Sequence, residues 1–336
     1  MSLVVDVHTH VVPSHIPSDR AGGPLWPSIA REGEDASVMI DGKVFRRIDS
    51  RCWDVQRRLA DMREDEVDVH VLSPMPELLS HWFEPGAGEA LGEIMNADIA
   101  RMIREAPGRF AGIGMICMQD VRRALRQMEA IQALGLRGFE IGSHINGTPL
   151  GAERLWPVYE AAEALDLAVF VHPLHPAGTD RIGAAPEYSA IAVFPLETAL
   201  AATSLLAHGV PERFRKLRVL LSHGGGALPW ILPRLDQGRK ISPAMRSAMP
   251  KDPSVIARRF WYDTIVYSDE ALRFLEQSVG ADQIVVGSDY PFTIKQDRPA
   301  AGPIRSLGVG SPCLRVNAEA LLGIKFEQPL SREPAI

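Results

Sequence analysis

Leu3-Val4-Val5-Asp6-Val7-His8-Thr9-His10 stands at the start of the chain, and the remaining residues are organised around it. The β-branched run at Val4, Val5 and Val7 predicts a strand. Side chains alternate along a strand with period two. Asp6, His8 and His10 are therefore expected on one face, and Val5, Val7 and Thr9 on the other. Two imidazoles one step apart on one face can bind the same cation, and imidazole suits zinc, iron, nickel or copper. An H-x-H pair by itself fits two surface histidines near a terminus equally well, so the decision rests on what the rest of the chain brings to them.

Outward from that strand, the chain is irregular to about Asp49, with Pro13, Pro17, Gly22, Gly23, Pro24 and Pro27. Within this stretch V-M-I-D-G-K-V-F-R, Val38 to Arg46, predicts a hairpin turning at Asp41-Gly42. Residues 11–52 read as an insertion covering the mouth of the site, a usual place for functional loops. From Asp54 a β/α alternation runs to the end. Strands are expected at 67–72, 110–115, 136–141, 168–171, 217–222, 260–263 and 283–286. Helices are expected at 54–66, capped by Asp54 with Leu59 and Met62 inward, and at 87–106, 121–134, 153–165 and 188–208. Another falls at 225–235, where Pro229 and Pro233 invite a split. One more is expected at 269–279, and a closing helix at 312–322. Gln237 to Pro253 reads as a second irregular loop over the site. With the first strand this makes eight strands alternating with helices, about 40 residues per unit, which implies a parallel sheet closed into a barrel. The expected fold is thus α/β, a single (β/α)8 TIM-barrel domain over residues 1–336. It carries a small insertion lobe after strand 1 and a C-terminal closing helix.

Composition narrows the function. Hydrophobic residues at 46% and charged residues at 23% are ordinary for a soluble globular protein. A net charge of −6 argues against non-specific binding to nucleic acid or acidic membranes, which wants a basic face. Cys52, Cys117 and Cys313 are far apart and form no C-x-x-C, which reads as reduced thiols in a cytoplasmic protein. No apolar run reaches the roughly 18 residues of a membrane span. The N-terminus lacks the basic start and apolar stretch of a signal peptide.

In barrels of this kind chemistry sits at the C-terminal ends of the strands. Strand one ends at His8 and His10, strand five at His172 in V-F-V-H-P, strand six at His223 in V-L-L-S-H-G-G-G, and strand eight at Asp289 in V-V-G-S-D-Y-P-F. A lone strand-end histidine is more often a hydrogen-bonded core residue. Four histidines and an aspartate agreeing on one rim are much harder to attribute to chance.

With these motifs the chain resembles the amidohydrolase superfamily, in the branch of 2-amino-3-carboxymuconate-6-semialdehyde decarboxylase. The likeness runs from Val5 to about Leu322. It takes in K-V-F-R (Lys43 to Arg46), C-W-D (Cys52 to Asp54), E-x-x-V-D-V (Glu64 to Val69), N-G-T-P-L (Asn146 to Leu150) and P-L-E-T (Pro195 to Thr198). The resemblance implies His8, His10, His172 and Asp289 as ligands of one divalent metal, zinc foremost. It implies His223 beside the metal as acid or base, and Asp289 as a second proton carrier. Arg46 matches a residue that binds a substrate carboxylate, and Arg234 an arginine donated across a homodimer interface; a fork of N–H donors suits that anion. Two-metal relatives carry a lysine at the end of strand four. Here that strand reads R-G-F-E-I-G (Arg137 to Gly142), with no lysine near, which favours a single metal. Three histidines and a carboxylate with an open position make a catalytic zinc set, and such a metal lowers the pKa of bound water from about 15.7 to about 7. The glycines at 224–226 are expected to let backbone approach the site and to open a helix facing an anion. One departure stands out: where relatives carry a tryptophan before P-x-E-T, this chain has Ala190. His175 and Trp82 are candidates to refill that wall. His15, His70, His81, His144 and His208 read as structural.

The expectation is a metal-dependent, non-oxidative decarboxylase of an unsaturated or aromatic carboxylic acid, with no organic cofactor. Its partners would be a small carboxylate substrate and a second copy of itself, not nucleic acid or membrane. A metal-dependent hydrolase or hydratase acting on a small carboxylated substrate is the alternative, since one fold hosts all these reactions. A metal-binding scaffold is a third reading, and His223 beside an open metal speaks against it.

Overall fold

β1 (Val5–Val11) leads into a lobe built from β2 (Ser28–Glu32), β3 (Asp35–Ile40) and β4 (Lys43–Asp49), an antiparallel sheet in that order. The hairpin expected at Val38–Arg46 is its β3–β4 half. Asp41 and Gly42 take φ of 52° and 69°, the pair of positive values that a tight two-residue hairpin turn requires. β2 is an addition that the sequence pattern did not reveal. The computed structural model describes residues 3–18, 23, 25–183, 185 and 187–327; Gly22 and Pro24 of the irregular stretch lie outside them.

After the lobe come α1 (Val55–Glu64), capped by the Asp54 carboxylate on Arg57 N, β5 (Val69–Pro74) and α2 (Pro85–Glu105). The third barrel strand is interrupted at Ile113, giving β6 (Phe110–Gly112) and β7 (Gly114–Met115). α3 (Val121–Ala133) and β8 (Gly138–Gly142) follow, then a small hairpin of β9 (His144–Ile145) and β10 (Thr148–Pro149), α4 (Trp156–Ala164) and β11 (Ala168–His172). The sixth strand, β12 (Val219–Leu221), comes after α5 (Phe194–Ala207) and α6 (Val210–Arg213). Beyond it lie α7 (Leu228–Ile241), α8 (Pro243–Ala248), α9 (Pro253–Ala257), β13 (Trp261–Asp263), α10 (Asp269–Val279), β14 (Ile284–Val285), α11 (Ala301–Leu307) and α12 (Val316–Leu322).

The barrel strands pair in parallel in chain order, β1-β5-β6 and β7-β8-β11-β12-β13-β14. Ile113 N donates to Leu72 O at 2.8 Å across the third-strand break, and Val7 N to Val286 O at 2.9 Å closes the ring. The expected (β/α)8 barrel is present. Its interior is apolar, with Val5, Val7, Val71, Ile113, Phe170 and Val285 in one cluster that Leu321 and Leu322 of α12 also join. A second cluster fills the space between strands and helices.

Three expectations need correction. Asp6 does not share a face with His8 and His10. Val5 and Val7 point into the barrel, and Asp6 between them points outward, toward Ser288 and His70. The pairing of β1 with β5 shifts register between Asp6 and Thr9. That bulge resets the alternation and turns His8 and His10 inward. Asp6 braces it: its Oδ1 accepts from His8 N and Ser288 N, both at 3.1 Å. Second, Gln237–Pro253 is mostly helical. Pro243 and Pro253 each open a helix, where a missing N–H costs nothing, and α7 runs through Pro233 to Ile241. Arg239 ties the stretch down through Met249 O at 2.7 Å and Asp252 Oδ1 at 3.1 Å. Third, Ser189–Ala207 is, among the described residues, one helix long and apolar enough by length and average composition to cross a membrane. Glu197 within it is buried and accepts from Ala177 N at 3.1 Å. Cys52, Cys117 and Cys313 are buried and unpaired.

Candidate metal centre and active site

β1 delivers His8 and His10, β11 ends at His172, and Asp289 follows β14. One ligand atom from each of these four buried residues lies within 4.8 Å of all the others. Their tautomers are set from behind. His8 Nδ1 meets Asp263 Oδ2 at 2.6 Å, His10 Nδ1 meets Pro74 O at 2.8 Å, and His172 Nδ1 meets Pro173 O at 3.0 Å. A carbonyl or carboxylate oxygen only accepts, so each Nδ1 carries the proton and each Nε2 turns its lone pair to the centre. His8 Nε2 and His10 Nε2 are 3.0 Å apart, a contact that needs a cation or a proton between them. His172 Nε2 and Asp289 Oδ1 are buried with no hydrogen-bond partner. Three inward lone pairs and a carboxylate oxygen fit a divalent metal ion.

The charges agree with that geometry. Burial works to lower the His8 pKa, but the Asp263 and Asp289 carboxylates outweigh it and push it up to about 10. Burial brings His10 down to about 4 and holds His172 well below the usual histidine range. Burial alone would raise Asp289; the imidazoles of His10, His223 and His8 around it outweigh that and hold it well below the usual carboxylate range.

His223 stands beside this set, its Nε2 3.8 Å from Asp289 Oδ2 and its side chain 12% exposed. It follows β12 at φ 54°, and its N–H donates to Asp263 Oδ2 at 2.9 Å. The three glycines after it serve packing. A Cβ on Gly226, at φ 60°, would stand 1.9 Å from Pro195 O, and one on Gly225 would stand 2.6 Å from the Tyr262 ring. The close approach is therefore to α5 and β13, and α7 begins only at Leu228.

Arg46 reaches in from β4, with its Cζ 4.5 Å over the Phe292 ring and Nη2 2.8 Å from Glu77 Oε1. Arg234 is exposed on α7; among the described residues it makes no side-chain hydrogen bond or ion pair. Asp236, its neighbour on the helix, accepts from Ser254 N instead. Trp82 and His175 are packed ring to ring at 4.4 Å, and Ala190 is half-buried in the turn of helix before α5. His81 is buried and accepts from Gly142 N at 3.0 Å, and His144 from Gly147 N at 3.0 Å, in line with structural roles.

Three carboxyls at the site lay outside the sequence-derived set. Asp263 ends β13 and orients His8. It is fully buried, which alone would raise its pKa, yet His8 holds it below the usual range. Glu140 on β8 pairs across from Phe170 and lies 3.9 Å from His10 Nδ1, with burial raising it well above the usual range. Glu77 is raised by burial and drawn back by Arg46.

The amidohydrolase family model matches residues 5–323. The chain belongs to the amidohydrolase family. Among its relatives, 2-amino-3-carboxymuconate-6-semialdehyde decarboxylase of Dictyostelium discoideum is 36% identical over 300 residues, covering 87% of this chain and 83% of that one. The crystal structure of 5-carboxyvanillate decarboxylase from Sphingomonas paucimobilis superposes with a TM-score of 0.79 at 27% identity, covering 96% and 99% of the two chains. A dihydroxybenzoic acid decarboxylase from Polaromonas sp., solved with bound manganese, shares the fold with a TM-score of 0.75 at 22% identity, covering 96% and 97%. Within the amidohydrolases, the chain sits in the aminocarboxymuconate-semialdehyde decarboxylase-like branch.

Proposed function

We propose that this amidohydrolase catalyses the metal-dependent, non-oxidative decarboxylation of an unsaturated or aromatic carboxylic acid like aminocarboxymuconate semialdehyde. The observation that carries the reading is the place of His223: beside the four ligand atoms, in reach of Asp289, and not among them. The decarboxylase relatives support it. His8, His10, His172 and Asp289 would hold one zinc, which supplies Lewis acidity toward an oxygen of the substrate or of water.

The chain's own residues do the rest. Arg46 receives a substrate carboxylate through its planar fork. Arg234 of the partner subunit supplies a second cation in a homodimer. Ile191, Leu196, Leu200 and Trp230 are exposed on the helices after β11 and β12, which supports an interface there. When the bond to the departing carboxylate breaks, its electron pair stays on carbon and carbon dioxide leaves. His223 delivers the proton that takes up that pair and regains one from water, so no oxidant is consumed. Incubating the metal-loaded protein with carboxymuconate semialdehydes and hydroxybenzoates, and measuring carbon dioxide against substrate lost, tests this. One carbon dioxide per substrate is expected. A hydrolysed or hydrated product without carbon dioxide would replace the reading.

A further inference from the structure

Arg46 lies on β4, a strand that is mostly exposed, and two contacts hold its guanidinium at the site. Nη2 forms an ion pair with Glu77 Oε1 at 2.8 Å, and the Phe292 ring lies 4.5 Å below Cζ. Phe292 is itself stacked on His10, with ring centroids 5.0 Å apart at 30°. Glu77 stands in the short 3-10 turn Pro76–Leu79, directly after β5, and Leu78 and Leu79 in that turn are fully buried. The carboxyl therefore sits on a rigid base while the arginine arrives from a solvent-exposed lobe. We propose that Glu77 is the positioning residue of the carboxylate subsite: it keeps the Arg46 guanidinium over Phe292, one ring away from the metal ligand His10. An arginine fixed before the ligand arrives loses less rotamer freedom on binding. The inference rests on Arg46 being the carboxylate receptor of the function proposed above.

The test is calorimetric titration of metal-loaded protein with benzoate and 2-hydroxybenzoate, with thermal unfolding measured in parallel. Arg46→Ala is expected to weaken binding about tenfold or more. Glu77→Leu and Glu77→Ala should weaken it by a similar factor, at least one of them with unfolding unchanged. Glu77→Gln keeps a polar oxygen of the same reach beside Nη2 and should bind within about threefold of wild type. Wild-type binding in both Glu77→Leu and Glu77→Ala, with Arg46→Ala impaired, overturns the role of Glu77 alone. Glu77→Gln as weak as Glu77→Leu also overturns it, because position would then not be what the carboxyl provides. Unchanged binding in Arg46→Ala, or no binding by the wild type, overturns the Arg46 reading and the Glu77 role together.

Discussion

Replacing Asp263 by asparagine should weaken metal binding while leaving the fold in place. The carboxylate is fully buried and saturated with donors. Oδ2 accepts from His8 Nδ1 at 2.6 Å and His223 N at 2.9 Å, while Oδ1 accepts from Gly224 N at 2.9 Å and Ile265 N at 3.1 Å. Asparagine keeps one acceptor oxygen, enough for the two backbone donors on the Oδ1 side. Its NH2 then faces His8 Nδ1–H and His223 N–H, donor against donor. His8 relieves the conflict by moving its proton to Nε2, which removes the lone pair that the metal needs. Loss of such an outer-shell partner typically weakens metal binding about 10- to 100-fold, or roughly 1.4–2.7 kcal/mol. Alanine makes an instructive contrast. It strands the N–H groups of His223, Gly224 and Ile265 in the interior, at about 1–3 kcal/mol each. A total of roughly 3–9 kcal/mol is comparable with the whole stability of a typical domain. Competition with a chromophoric chelator reads the metal affinity, and thermal unfolding of the metal-free chains reads the fold. Wild-type metal affinity in Asp263→Asn would refute the reasoning, because Asp263 would then not be setting the His8 tautomer.

Other outcomes follow from the same geometry. Metal titration should saturate at one ion per chain and release close to one proton between about pH 7 and 9, because metal-free His8, raised to about 10, holds a proton there. The sign for stability runs the same way: the charged His8 stabilises the metal-free fold fully below its ordinary pKa of about 6.5, and that is lost as pH rises toward 10. Denaturant unfolding of metal-free Glu140→Gln should show a gain over wild type that grows as pH rises above about 4.5. The buried Glu140 keeps a proton that the unfolded chain gives up, and the glutamine cannot titrate. Finally, inactive His223→Ala chains mixed with inactive Arg234→Ala chains should recover part of the activity, since one site of a mixed dimer would hold both residues. No recovery after confirmed subunit exchange would place Arg234 outside any partner's site.

The barrel was legible because most strands are short apolar runs and the first barrel helix opens on a clear start signal at Asp54. The four convergent residues were legible for the same reason, since His172 and Asp289 sit where apolar strands stop. What stayed hidden depends on contacts between distant segments. The bulge in β1 comes from hydrogen bonds that join Asp6 to Ser288, across 282 positions of sequence, and no local pattern encodes it. Asp263 did carry a signal, an aspartate at the end of a strand, but nothing local tells an outer-shell carboxylate from a ligand. Glu140 sat in a strand read only for the lysine it lacks. The stretch 237–253 reads as irregular loop, whereas Pro243 and Pro253 occupy first-turn positions that need no N–H.

The most direct test of the central claim is carbon dioxide release without oxygen. Wild-type chain would be compared as metal-loaded, metal-stripped and metal-restored protein, alongside metal-loaded His223→Ala, on a carboxymuconate semialdehyde and a hydroxybenzoate. The account predicts release that disappears with the metal and returns with it. It also predicts that His223→Ala keeps one ion per chain while losing about 10²- to 10⁴-fold in rate. Turnover that persists in the stripped protein would contradict the account, as would His223→Ala losing its metal, which would make His223 a ligand.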